Sequence, residues 1–233
     1  MLQFTPYASS SKGNMAIAED GESRLMLDCG IPWRQARRLL QFRTSGIAGA
    51  LITHFHADHS RAVVDAMKAG VDCYMSSETI EELQLSGHRL REINAMETAT
   101  IGSWSVLAFD VEHDCPGAVG FLCTNREGEK LLYLADSAFC KYRFSGLSVI
   151  AIECNYDLDI LRSKVRDQEV DRAVKRRVIR SHFSIENVIE MLKANDLSKV
   201  TGIWLLHLSD SNSDAEAFKQ RVQATTGIPT YIA

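Results

Sequence analysis

The stretch Thr53-His54-Phe55-His56-Ala57-Asp58-His59 stands directly behind the apolar run Gly49-Ala50-Leu51-Ile52. The apolar run, continued to Thr53, reads as a buried strand ending at His54. On an extended backbone, residues two apart point the same way, so His54 and His56 project together from the strand end. Asp58 and His59 fall where the chain turns into a helix and face the same space from another direction. Four ligand-type side chains therefore converge without long-range folding. A pair of divalent ions held by imidazole and carboxylate needs such a convergence. The plainer reading, a solvated polar loop with chance histidines, leaves the agreement of strand, spacing and helix start unexplained.

Outward from this junction, the N-terminal part reads as strands: LQFTPYAS, MAIAED and SRLMLDCG, joined by the turn-rich segments at 10–14 and 19–23. Pro32 opens a helix over WRQARRLLQF. Behind the histidines, SRAVVDAMKAG reads as one helix, DCYMS as a strand and SETIEELQL as a helix, with Thr79 and Glu82 in capping-box spacing. Residues 88–97 fit neither pattern. Strands return as TATI, WSVLAFDV, GAVGFLCT, KLLYLA and LSVIAIEC. Helices are expected at about 156–164, 167–177, 184–195 and 213–225, with strands WLLHL and PTYIA between and after them. Several strands are apolar on both faces, as strands of two sheets covered by helices would be. No repeat, low-complexity tract or linker interrupts the chain, which predicts one domain over 1–233.

The chain has 233 residues, 26 Lys+Arg against 30 Asp+Glu and a net charge of -4, which gives no bulk electrostatic reason to bind nucleic acid. A local patch must supply any such contact. The six cysteines include no CxxC pair, and the first residues show neither a basic nor an apolar leader region. This predicts a cytoplasmic protein with buried thiols. The apolar runs are strand-sized, so no membrane span is expected.

The HxHxDH pattern at 54–59 resembles the signature of the metallo-β-lactamase superfamily. The resemblance extends to His113 in EHDCPGAVGF, Asp136 in LLYLADSA and His207 in WLLHLSDSN, which match that superfamily's remaining metal ligands. Ser10 to Asn14, Leu27 to Gly30, Glu153 to Asp157, Lys175 to Arg177, Ser181 to Ser184 and His207 to Ser209 are further similar to the YycJ/WalJ-like exonuclease branch. Ser181-His182-Phe183-Ser184 and His207-Leu208-Ser209 also resemble segments of ribonuclease Z. The chain departs from the branch's usual pattern at Ala138 and Ser181, commonly Gly, at Tyr156, commonly His, and at Ile185, commonly Asn.

The resemblance implies an α/β fold, an αββα four-layer sandwich of two mixed sheets packed face to face with helices outside. It implies that His54, His56 and His113 bind one divalent ion, that Asp58, His59 and His207 bind another, and that Asp136 bridges them. Zinc and manganese both suit such ligands. The implied activity is a DNA exonuclease of the 5′-3′ type, in which a hydroxide held between the metals attacks the phosphate, with Asp58 and His182 as catalytic residues. A small-molecule phosphodiesterase or other hydrolase, an RNA-processing nuclease and a non-catalytic nucleic-acid-binding module are the competing readings.

His182 is implied to contact the scissile phosphate and to help protonate the leaving oxygen. It also fits a plain helix-start residue beside a capping Ser184. The basic run Lys175, Arg176, Arg177, Arg180 leading into His182 is a candidate phosphate-binding surface, or else a solvated helix face. Asp110 and Glu112 are either partners of ligand imidazoles or residues of a strand edge. The Ser9 to Asn14 loop is either a phosphate-binding turn or a strand connector. His88 matches nothing and reads as surface.

Overall fold

A computed structural model describes all residues, Met1–Ala233. Contacts divide them into two compact units, one of residues 1–110 and 115–133, the other of 111–114 and 134–233.

The first unit opens with β1 (Gln3–Ala8), β2 (Met15–Glu19) and β3 (Arg24–Leu27), followed by α1 (Trp33–Leu39), β4 (Ile47–Leu51), α2 (Ala57–Ser60), α3 (Val63–Lys68), β5 (Cys73–Met75), α4 (Ser77–Glu82) and β6 (Leu90–Glu92). The six strands form one sheet in chain order. Its first three are antiparallel, and β3 to β6 run parallel. Ile17, Met26, Ala50 and Ile52 take one side of this sheet and pack with Ala36 and Leu40 near α1 and with Val63 and Ala66 of α3. The larger of these side chains, Ile17, Met26, Leu40, Ile52 and Val63, contribute about 1.5–3 kcal/mol each.

The unit continues with β7 (Thr98–Ile101), β8 (Trp104–Asp110), β9 (Val119–Thr124) and β10 (Lys130–Leu134), successive antiparallel partners in a second sheet. They meet the opposite side of the first sheet. A Cβ at Gly49 of β4 would sit 2.8 Å from Ile101 Cγ2, and the Phe4 and Tyr133 rings are 6.4 Å apart.

The second unit holds the parallel strands of that second sheet, β11 (Val149–Glu153), β12 (Gly202–Leu206) and β13 (Thr230–Ile232). Its helices are α5 (Leu158–Arg166), α6 (Arg172–Ser181), α7 (Ile185–Lys193) and α8 (Ala215–Thr226). Every residue of β11 is buried, as the parallel pairing requires. Helix starts are set by side chains: Asp157, Asp171, Ser184 and Asp214 each accept a hydrogen bond from a backbone N–H one turn in. Gly227 ends α8 in the left-handed region. The molecule thus has two mixed sheets with helices, the expected α/β class.

Three local expectations need correction. The helix behind the histidine motif is two short helices, α2 and α3. The cap of α4 is Ser76, which accepts from Thr79 N, while Thr79 itself is buried inside the helix. The basic run is not split from a helix ending at 177: α6 starts only at Arg172, because Asp171 caps it, and it carries the run through Ser181. No helix is long and apolar enough to cross a membrane.

Candidate metal and phosphate site

In the first unit, one buried carboxylate organises the strand end. Asp28, fully buried and left-handed at φ 58°, accepts from Thr53 N and Thr53 Oγ1 on one oxygen. Its other oxygen accepts from Tyr133 Oη and from His59 Nδ1, each at 2.8 Å. His59 therefore carries its proton on Nδ1 and its lone pair on Nε2. Because the Thr53 hydroxyl donates to Asp28, it accepts from His54 Nδ1, 3.0 Å away. The His54 lone pair then lies on Nε2, which faces His56 Nδ1 at 3.0 Å. Ring nitrogens of His54 and His59 lie within 4.8 Å of each other, as do those of His54 and His56.

Asp58 is placed by its backbone. Asn14 N donates to Asp58 O at 2.7 Å, and Asn14 Nδ2 reaches Asp58 O, Asp58 Oδ2 and His59 Nε2 at 3.2, 3.4 and 3.0 Å. Gly30 passes so close that a Cβ there would lie 1.6 Å from Asp58 O. Only glycine fits between these two backbones. The Ser10–Asn14 loop thus braces α2, and this is the structural use of both the SSKGN and LDCG segments. Asp58 Oδ2 lies 3.6 Å from His59 Nε2.

In the second unit, the residues come from five separate places. His113 Nδ1 donates to Ser181 O at 2.7 Å, and its Nε2 lies 4.0 Å from Asp136 Oδ2. Asp136, two residues past the end of β10, meets His207 Nδ1 at 2.7 Å. Glu153, fully buried at the end of β11, holds His182 Nδ1 at 2.6 Å and His207 Nδ1 at 3.2 Å on one oxygen. The other oxygen accepts from the backbone N–H of Ser137 and Phe183. Ligand atoms of Asp136, Glu153, His182 and His207 all lie within 4.8 Å of one another. His207 is left-handed at φ 50°, and Asn155 Nδ2 holds its carbonyl at 2.9 Å. Strained backbone of this kind persists only where neighbours enforce it.

Electrostatics follow from this packing. Burial opposes charge on His182, but Glu153, by charge and hydrogen bond, and then Asp136 raise its pKa above the usual histidine value. Burial likewise opposes charge on His207, and Asp136 and Glu153 overcome it, pushing the pKa up to about 10. Burial also acts to raise Glu153, yet the two imidazoles hold it below the ordinary glutamate value. Two buried carboxylates thus draw positive charge to this cluster. Imidazole nitrogens with defined lone pairs in one unit and a carboxylate-rich imidazole cluster in the other are donor sets suited to divalent cations.

The basic run is divided by the helix that carries it. Arg177 Nε pairs with Asp114 Oδ2 at 3.2 Å, and Asp114 Oδ1 lies 3.2 Å from His113 Nε2. Lys175 and Arg176 face a different way. With Arg162 and Arg166 of α5 and Arg172 they line a groove of about 1030 Å³. Arg180 is exposed on α6 and His88 is exposed on the surface. Asp110 ends β8 and Glu112 is exposed; Asp28 and Glu153 are acids that orient imidazoles. Sequence reasoning missed the role of Glu153; the signal that could have found it is an acid closing a wholly apolar strand, a position that burial makes costly unless partners wait there.

Comparison with known proteins agrees with this layout. A family model described as "Beta-lactamase superfamily domain" matches residues 23–203. The chain is 25% identical over 239 residues to an exodeoxyribonuclease YycJ of Bacillus anthracis, covering 95% of this chain and 88% of the relative. In structure it is similar to the metallo-β-lactamase fold protein YhfI from Bacillus subtilis, with a TM-score of 0.74 at 14% identity over 100% and 97% of the two chains. It is also similar to a diphosphatase of the PhnP family, with a TM-score of 0.68 at 15% identity over 100% and 95%. The structural likenesses are ones of fold.

Proposed function

This chain belongs to the beta-lactamase superfamily, and from that premise we propose that it is a two-metal phosphodiester hydrolase acting on DNA as a 5′-3′ exonuclease. The hydrolase class follows the family, and the exonuclease reading follows the YycJ relative.

The residues proposed to hold two divalent ions, zinc or manganese, are His54, His56, Asp58 and His59 from the first unit and His113, Asp136 and His207 from the second. When bound, such ions activate water at neutral pH and offset the charge that builds on a phosphate during displacement. The observation that carries the reading is His182. Its Nδ1 is engaged by the buried Glu153 carboxylate, which leaves Nε2–H to donate to a phosphate oxygen or to the leaving oxygen. A purely structural metal cluster has no use for an oriented imidazole of this kind.

Asp58, fixed through its carbonyl by Asn14, is the second catalytic group proposed, beside its ligand role. Lys175, Arg176, Arg177 and Arg180, with His182, are the proposed phosphate contacts, and the α5–α6 groove gives a nucleic acid strand a cationic surface to follow. The whole chain, 1–233, is proposed to act as one catalytic domain. A cytoplasmic location fits its cysteines, five of which are buried thiols outside any disulfide.

The test is to incubate metal-reconstituted protein with end-labelled single- and double-stranded DNA, RNA and a chromogenic phosphodiester. The expected result is stepwise shortening of DNA from the 5′ end, at a rate that falls steeply as salt rises. Hydrolysis of the small diester with no cleavage of any polymer, insensitive to salt, overturns the DNA reading in favour of a small-molecule phosphodiesterase.

A further inference from the structure

Cys115 opens the segment Cys115-Pro116-Gly117 ahead of β9, and its sulfur lies within 4.8 Å of a ring nitrogen of His54 and of one on His56. The segment is fastened in place. Ser76 Oγ donates to Gly117 O at 2.6 Å, and Val119 N donates to Thr53 O at 2.9 Å, next to His54 in sequence. Gly117 is left-handed at φ 67°, and a Cβ on it would lie 2.6 Å from both Ser76 Oγ and Glu78 Cβ. Pro116 restricts Cys115 to extended backbone. The thiol is therefore presented to the two imidazoles by a built turn.

Its surroundings set it apart from the other five cysteines, all of which are buried. Burial pushes the Cys73 thiol up to about 12 and those of Cys29, Cys123 and Cys154 well above their ordinary value. Those five serve as small apolar side chains. Cys115 is only half-buried and faces nitrogen ligands.

Two imidazole nitrogens 3.0 Å apart and a sulfur beside them make an N₂S set. Around one tetrahedral ion, with metal–nitrogen distances of about 2.0 Å and metal–sulfur distances of about 2.3 Å, such atoms lie roughly 3.5 Å from each other. Small side-chain adjustments reach that spacing. A thiolate is a soft donor and favours zinc, cobalt and cadmium over manganese or magnesium. We propose that Cys115 is a thiolate ligand beside His54 and His56, and that it makes this position selective for zinc-like, thiophilic ions. The thiol releases its proton to solvent as the metal–sulfur bond forms. The inference rests on the metal reading above and decides, at this position, between the two metals that imidazole and carboxylate ligands alone leave open.

The experiment loads metal-free protein with Co(II) and records its absorption spectrum. Wild type is expected to show visible ligand-field bands together with a near-ultraviolet thiolate-to-cobalt charge-transfer band. Cys115→Ser and Cys115→Ala are expected to keep the visible bands and lose the near-ultraviolet one. Their Cd(II) affinity should fall by about tenfold or more, with Mn(II) affinity unchanged by equilibrium dialysis. A wild-type spectrum with visible bands and no charge-transfer band, or a band that survives in both variants, overturns the assignment of Cys115 and leaves the metal reading standing. No cobalt binding by wild type at all overturns the metal reading itself.

Discussion

The two clusters of ionisable groups reach their order by opposite routes. In the first unit, the histidines come from one strand end and one turn of helix, and a single buried acid, Asp28, sets their tautomers through Thr53 and His59. In the second, five chain segments each contribute one residue, and two acids, Asp136 and Glu153, draw positive charge onto His182 and His207. The first cluster presents imidazole nitrogens oriented by hydrogen bonds. The second presents charge. The difference teaches that a metal-suited site needs both a geometric template and an electrostatic sink, and that one chain can supply them from different kinds of sequence.

The largest expected effect comes from removing ligands that the first cluster places locally. Asp58→Ala combined with His59→Ala should bring hydrolysis below detection while circular dichroism shows both sheets intact; unchanged hydrolysis would remove this cluster from the chemistry. His182→Ala tests the second cluster. A general acid contributes about 10²- to 10⁴-fold, so turnover should fall within that range with metal content retained on elemental analysis. Loss of metal would instead make His182 a ligand or a structural residue.

Asp28→Asn sharpens the contrast, because Asp28 is buried away from substrate and acts through Thr53, His59 and Tyr133. Outer partners of ligand imidazoles are worth about 10- to 100-fold in metal affinity. A loss of that size by metal titration, with turnover of the saturated enzyme nearly preserved, is the expected outcome, and an unchanged affinity contradicts the template role. Arg177→Ala should have the smallest effect. Arg177 is largely exposed and paired with Asp114, so its loss should raise KM for DNA modestly and reduce the slope of log KM against log salt by about one. An unchanged slope would show that this arginine contacts no phosphate.

Legibility followed sequence distance. The strand ending at His54, the projection of His56 and the turn into Asp58 and His59 were readable because strand periodicity and a seven-residue spacing carry them. Resemblance supplied His113, Asp136 and His207, since no local pattern links residues so far apart. The role of Asp28 was not readable from spacing: its partners Thr53, His59 and Tyr133 lie 25, 31 and 105 positions away. Glu153 was likewise hidden, with His182 and His207 at separations of 29 and 54. Helix starts went astray for a different reason. The Thr79–Glu82 spacing imitates a cap, but Ser76 is the residue whose hydroxyl reaches a free backbone N–H. The interleaved charges of 167–171 look helical, and the Asp171 cap excludes them from α6.

The most direct test of the central claim is mononucleotide release from 5′-end-labelled DNA by protein that has bound two equivalents of divalent metal. Labelled mononucleotides are expected at the earliest time points, and none after chelation. Protein that holds both equivalents and cleaves neither DNA, RNA nor a chromogenic phosphodiester would contradict that claim.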